Sequence, residues 1–373
     1  MSIETAITRA WQRKAAWLWL LLPISWLYGL LTLLRRQAYR IGMFSSFRAP
    51  VPIMVIGNIT VGGSGKTPLI ITLVNYLQQR DIKVGVISRG YGGDSSQMPA
   101  LVTKESLPST VGDEPCLIVN VTAAPMAVCP NREQAITTLL SAHPDLQIII
   151  ADDGLQHYAL QRDIEWIVVD VARGFGNQQL LPTGFLREPM SRLKGATVIH
   201  HEKLNATSAP SNKDLAQRLT MQLRPNRLYP LLSDDDLRSL SETKIFTSAA
   251  PAPIQGYVHA VSGIGYPQRF FATLSALGFE VIEHPYPDHH NFSLAELLQY
   301  TEHPIIMTTK DAVKIRTLLL AKTSSIKSDE LINDDVIALA TRLWVLPVTA
   351  ELSDTCYQTL QQQLTALGIE IPM

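Results

Sequence analysis

Apolar residues fall along this chain in two patterns. The first is one long run, Ala15 to Leu34, twenty residues without a charge. The second is a series of short β-branched runs separated by segments of helical spacing. Val51–Ile56, Val84–Ile87, Met126–Cys129, Leu146–Ala151, Ile164–Val169 and Ala196–His200 are the short runs. Strands buried on both faces read in this way, as near-continuous apolar stretches without alternation. Between them, Leu69, Ile70, Leu73, Val74 and Leu77 repeat at helical spacing, and Asn131-Arg132-Glu133 opens a second helix running to about Ser141. Strands alternating with helices over residues 51–205 predict an α/β fold with a doubly wound, mostly parallel sheet and its ligands at the strands' carboxyl ends.

A second, smaller α/β unit starts after a stretch rich in Ser, Asn, Asp and Pro (203–250). Its runs are Ile254–Ser262, Val281-Ile282, Ile305–Thr308 and Trp344–Pro347, with a helix through Phe270, Phe271, Leu274 and Leu277. The expected division is 1–48 as a membrane-associated segment, 49–235 as a nucleotide-binding domain and 236–373 as the smaller domain. Residues 94–110, polar and turn-rich, read as a mobile loop.

Charge sharpens the picture at the amino terminus. The net charge is −1 overall, yet residues 1–50 hold seven basic residues against Glu4 alone, leaving −7 for the rest. Four of the six tryptophans (Trp11, Trp17, Trp19, Trp26) lie at or beside the long apolar run, where amphipathic rings prefer a membrane boundary. The run is long enough to span hydrocarbon, but Pro23 and Gly29 interrupt it, and a helix lying in the interface fits equally. Arg35-Arg36 stands where a signal peptide would need a small-residue cleavage site. With no basic stripe in the body of the chain, nucleic acid is excluded as the expected partner. The three cysteines, Cys116, Cys129 and Cys356, are far apart and form no C-x-x-C, which fits a reducing compartment.

The chemistry concentrates after the first short strand. Gly57, Gly62, Gly63 and Gly65 break the chain into a loop, Lys66-Thr67 follows, and a helix begins. Such a loop turns its amides on a nucleotide's phosphates, with Lys66 reaching the β/γ-phosphates and Thr67 ligating Mg²⁺. Thr60 stands where the general phosphate-loop pattern has glycine, and Gly62 and Gly63 supply the conformational freedom instead. Asp152-Asp153 closes an apolar strand, a common way to present a carboxylate to Mg²⁺, with one of the two facing the metal if the strand continues. The alternative there is an ordinary Asp-Gly turn. Tyr286-Pro-Asp-His-His-Asn-Phe292 offers either a general base oriented by an acid or a loop of solvated histidines. Thr308-Thr-Lys-Asp-Ala-Val-Lys314 is either a functional strand end or an N-capped helix start. Gly263 and Gly265 read as a packing turn, because Gln268 breaks the dinucleotide spacing.

Taken together, GNITVGGSGKTP, ISRGYGG, VGDEP, DDGLQH, LPTGFLREP, PDHHNF and TTKDAVK resemble the tetraacyldisaccharide 4′-kinase (lipid A 4′-kinase) family, in that family's order along nearly the whole chain. The resemblance implies Mg·ATP-dependent phosphoryl transfer to the 4′-hydroxyl of an acylated disaccharide 1-phosphate, at the cytoplasmic face of a Gram-negative inner membrane, with no obligatory protein partner. It implies a nucleotide cradle of Thr60, Val61, Gly62, Gly63, Ser64, Gly65, Lys66 and Thr67, and Mg²⁺ served by Thr67, Asp152 and Asp153. It also implies catalysis by Lys66 with the pair Asp113 and His289, and acceptor contacts from Asn58, Arg89, Arg187 and Glu188. The competing readings are a membrane-anchored nucleotide switch, for which the N-K-x-D motif is missing, and a transport ATPase subunit, for which no signature helix is seen.

Overall fold

The computed structural model describes residues 7, 10, 11, 13–203, 218–240, 252–325 and 334–371. Strand β1 (Ile53–Gly57) lies at the centre. Its side chains from Ile53 to Ile56 are buried essentially completely, because the strand has neighbours in the sheet and helices on both faces. Burial of each such side chain contributes about 1.5–3 kcal/mol, and this explains the absence of a polar alternation.

Strands β2 (Val84–Ser88), β3 (Ala100–Val102), β4 (Met126–Val128), β5 (Ile148–Asp152), β6 (Ile164–Asp170), β7 (Thr197–Glu202) and β8 (Leu219–Pro225) complete most of one sheet. Its nine strands run in the order β14-β8-β7-β6-β1-β5-β2-β4-β3, where β14 is Val348–Leu352. Strands β8 to β4 in that order are parallel, and antiparallel strands β14 and β3 close the two edges. β1 pairs with β5 on one side and β6 on the other, so the loop after β1 opens between neighbouring strand ends. The helix Lys66–Gln78 follows, burying Leu69, Ile70, Leu73, Val74 and Leu77 on the sheet, as their spacing predicts.

A second sheet has five strands in the order β11-β10-β12-β13-β9, built from β9 (Tyr229–Pro230), β10 (Gly256–Ser262), β11 (Phe279–Pro285), β12 (Ile305–Thr308) and β13 (Leu343–Leu346). The expected boundary at 235/236 does not match this pairing. β9 already pairs with β13, while β14 returns to the first sheet beside β8. The helix Asp354–Ala366 returns with it, burying Cys356, Leu360 and Leu364 in the core of the large sheet. The chain therefore crosses between the sheets twice. Residues 94–110 also differ from the expected loop: a turn at Ser95–Gln97, edge strand β3 and a short helix Pro108–Val111 order them. Most of the 203–250 connection lies outside the described residues.

The long apolar run forms a 3-10 turn, Ala16–Leu21, continuing into a helix, Leu22–Arg40. Only 11% of its most apolar window is buried, and it is long and apolar enough to cross a membrane. It touches the body through few groups. Ser25 Oγ lies 3.0 Å from the Leu180 carbonyl and 2.8 Å from Thr183 Oγ1, and Tyr28 OH donates to the Arg187 carbonyl at 3.0 Å. Trp19, Leu20, Trp26, Leu30 and Leu34 are exposed. An exposed apolar surface of this kind is a feature of protein–protein and membrane interaction sites.

Candidate active site

The glycine loop takes its shape from both ends. Asn58, fully buried past the end of β1, donates to Thr60 Oγ1 at 3.2 Å and to the Gly62 carbonyl at 3.3 Å. Gly62 and Gly65 have φ of 93° and 92°, a region that favours glycine. A Cβ on Gly65 would also lie 2.9 Å from His201 Nδ1, an atom that hydrogen-bonds the Ser64 carbonyl at 2.9 Å. The first part of the predicted cradle is otherwise engaged. Thr60 bridges to Leu186, the Val61 amide donates to the Phe185 carbonyl at 2.9 Å, and the Val61 carbonyl accepts from Arg173 at 2.6 Å. Among the described residues the amides of Gly62, Gly63, Ser64 and Gly65 have no acceptor in the chain. The cradle thus narrows to Gly62–Thr67, at the positive end of the helix that Lys66 begins.

Two carboxylates lie beyond it, in different states. Asp152 ends β5 and is 2% exposed. Its Oδ2 accepts from Ser88 Oγ at 3.4 Å, and its Oδ1 has no hydrogen-bond partner. Burial first, then Glu114, push its carboxyl up to about 7 against the pull of Lys66. Asp153 leaves the strand at φ 46°, so the two side chains do not simply alternate along a continuing strand. It pairs with Lys66 at 3.4 Å and Arg187 at 2.9 Å. Burial alone would raise its pKa, but these two cations hold it well below the usual carboxylate range. The orphaned Asp152 oxygen, buried at a strand end, fits a divalent cation as the missing partner.

The second pair of groups comes from both sheets. Gly112, at φ 97°, turns the chain into the helix Asp113–Thr122, leaving Asp113 4% exposed. His289 Nδ1 lies 3.2 and 3.1 Å from the two Asp113 oxygens, and Lys314 Nζ lies 3.4 Å from Oδ2. Burial would raise the Asp113 pKa; the hydrogen bond from His289, with Lys310 and Lys314, outweighs it and keeps the carboxylate ionised. His290 goes elsewhere, 3.1 Å from Glu296 and stacked on Tyr286. The Gly263–Tyr266 turn brings this half to the phosphate loop: a Cβ on Gly265 would meet the Gly63 nitrogen at 2.9 Å and Asp288 Oδ2 at 3.0 Å.

The other predicted contacts separate. Arg187 sits on Asp153 and on the Asn58 carbonyl and side chain. Glu188, 2% exposed, accepts from Gln156 at 2.8 Å and lies 3.3 Å from Arg192, so it supports the loop from inside. Arg89 is exposed just beyond β2. No local pattern signals Arg173 over the loop, nor Arg269, which reaches Asp170 and lies 3.2 Å from His201. Lys310 lay inside a stretch already singled out. Its helix start and its reach into the site turn out to be compatible.

Comparison with known proteins converges on one family. The family model described as Tetraacyldisaccharide-1-P 4′-kinase (LpxK) matches residues 17–365. A tetraacyldisaccharide 4′-kinase of Psychrobacter arcticus is 67% identical over 379 residues, covering 100% of this chain and 97% of the relative. One from Aeromonas salmonicida is 40% identical over 365 residues, covering 97% and 98%. In fold, the chain is similar to a crystal structure of LpxK from Aquifex aeolicus in complex with ATP. The TM-score is 0.64 and the identity 22%, with 93% of this chain and 98% of that one covered.

Proposed function

Since the chain belongs to the tetraacyldisaccharide-1-P 4′-kinase family, we propose a division of labour between its two sheets for that family's reaction. The protein is an ATP-dependent kinase that phosphorylates the 4′-hydroxyl of a tetraacyldisaccharide 1-phosphate, giving the bis-phosphorylated lipid A precursor.

The amides of Gly62–Gly65 and the Lys66 ammonium receive the β- and γ-phosphates. Thr67 and Asp152 would hold Mg²⁺, which would supply charge neutralisation on the transferring group. Asp153 keeps Lys66 and Arg187 beside the loop. His289, with its Nδ1–H donated to Asp113, accepts the 4′-hydroxyl proton at Nε2 as that oxygen bonds to the γ-phosphorus and ADP departs. Arg89 contacts the acceptor headgroup, while Asn58, Arg187 and Glu188 act through the loop they brace. The observation that carries this reading is the contact of Asp113 with His289 beside a loop whose Gly62–Gly65 amides have no acceptor among the described residues.

The apolar helix Leu22–Arg40 rests on the loop that carries Arg187, so an acceptor anchored by acyl chains meets the site from the membrane side. Its exposed Trp and Leu residues and the flanking Arg35, Arg36 and Arg40 suit the anionic cytoplasmic face of an inner membrane. Removal of residues 1–34 is expected to release much of the protein from membranes; unchanged sedimentation with vesicles would exclude the anchor. The reaction itself is tested by transfer of γ-labelled phosphate from ATP to a tetraacyldisaccharide 1-phosphate in detergent micelles. Lys66→Ala is expected to lower turnover by roughly 10²–10³-fold, and acceptor-independent ATP hydrolysis in place of a lipid product would overturn the assignment.

A further inference from the structure

The imidazole of His289 has a partner on its other nitrogen. Lys310 opens the helix Thr309–Ser325, and its Nζ lies 3.3 Å from His289 Nε2, 3.0 Å from Glu114 Oε1 and 3.1 Å from Asp288 Oδ1. An ammonium only donates. A lysine at Nε2 therefore requires a lone pair there, and the ring hydrogen must sit on Nδ1, facing Asp113. One turn further along the same helix, Lys314 lies 3.4 Å from Asp113 Oδ2 and donates to the His290 carbonyl at 2.8 Å. One helical face thus fixes both ends of the Asp113–His289 pair, across the boundary between the sheets.

The remaining groups around the ring are few. Tyr91, from the glycine-rich turn after β2, has its ring centroid 4.6 Å from that of His289, and Asp288 Oδ1 from the ring's own loop lies 3.8 Å from Nε2. Burial works against the charge of Lys310, but Glu114, Asp288 and Asp113 outweigh it and raise its pKa. Lys310 is thus a fixed positive charge against a nitrogen that must accept a proton.

We propose that Lys310 is a positioning residue: it holds His289 as the neutral tautomer with its lone pair on Nε2, then yields that lone pair to the acceptor hydroxyl while remaining bound to Glu114 and Asp288. The inference rests on the reading of Asp113 and His289 as the base. Only a hydrogen bond is exchanged when the hydroxyl arrives, and Glu114 and Asp288 keep the ammonium paired throughout.

The test is the pH profile of kcat for wild type, Lys310→Gln, Lys310→Arg and His289→Gln, with folding checked by thermal unfolding. Loss of the charge in Lys310→Gln is expected to move the acid limb up by about one pH unit. Low on that limb kcat falls by roughly 10-fold, recovers at higher pH, and the KM for ATP stays within about 2-fold of wild type. Lys310→Arg keeps the charge and is expected to keep the limb near its wild-type position. A uniform loss at every pH, the result for a mere ion-pair staple between the sheets, would overturn the proposal. If His289→Gln retains wild-type kcat, the base reading itself falls. If His289→Gln loses kcat while Lys310→Gln leaves the limb in place, only the role of Lys310 falls. ¹⁵N NMR of histidine-labelled wild type, with His289 assigned by its loss in His289→Gln, reads the tautomer whether or not the lysine variants fold. A pyrrole-type Nδ1 is expected, and a pyrrole-type Nε2 refutes the arrangement.

Discussion

The nucleotide half and the acceptor half of this site are made of different materials. The proposed nucleotide half is one continuous stretch, Asn58 to Thr67, running from the end of a strand into the helix that follows it, and it offers mainly backbone amides. The acceptor half is made of side chains from separate elements: Asp113 on one helix, His289 in a loop 176 positions away, and Lys310 and Lys314 on a third element. A backbone cradle tolerates changes in many of its side chains, provided the glycine conformations and the helix start persist. A side-chain relay depends on every member, and on the two sheets meeting at the correct distance.

The largest expected effects follow from that contrast. His289→Ala and Asp113→Ala each should lower kcat by roughly 10²–10⁴-fold, the usual contribution of a positioned base. Nucleotide binding, measured by calorimetry with an ATP analogue, should stay within a few-fold of wild type. Lys66→Ala should instead weaken nucleotide binding and turnover together. If the dyad variants lost nucleotide binding as severely, the two halves would not be separable, and the contrast would break.

A smaller effect is expected where the halves touch. Gly265 packs so closely that a Cβ would meet the Gly63 nitrogen at 2.9 Å and Asp288 Oδ2 at 3.0 Å. Gly265→Val forces the turn off the phosphate loop. A shift of about 1 Å between reacting groups costs up to about 100-fold, so a loss of roughly 10–100-fold in kcat is expected with little change in melting temperature. Wild-type kcat in that variant would show that the contact does not set the distance between the halves.

The same contrast explains what could be read from the sequence. The phosphate loop was legible because its signal is local: apolar strand, glycines, Lys66-Thr67 and helical spacing lie within one short stretch. The parallel sheet was legible for the same reason, since buried strands such as Ile164–Asp170 declare themselves without reference to their neighbours. Pairing Asp113 with His289 needed the family resemblance, because nothing in either stretch alone points to the other. β14 escaped notice because Val348–Leu352 follows β13 almost without a break, and only pairing with β8 assigns it to the first sheet. Glu188 looked like a substrate contact from its neighbours in LPTGFLREP. Its burial against Gln156 and Arg192 depends on how that loop folds back on Asn58.

The smallest effect concerns the support beneath the loop and is one of stability. His201 on β7 is 2% exposed, bonds the Ser64 carbonyl and lies beside Arg269. Burial, then the Arg269 charge, hold its pKa down to about 4, against the Ser64 carbonyl and Asp170. A free histidine has a pKa of about 6.5, so between those values the unfolded chain binds a proton that the folded chain refuses. Stability contributed by the neutral ring is complete above about pH 6.5 and lost progressively as pH falls towards 4, at a total of about 3 kcal/mol. Thermal unfolding of wild type and His201→Asn across this window should show a steeper acid decline in wild type by that amount. Parallel curves would mean that His201 titrates freely in the folded chain. The loop's geometry at Gly65 would then owe nothing to a neutral imidazole beneath it.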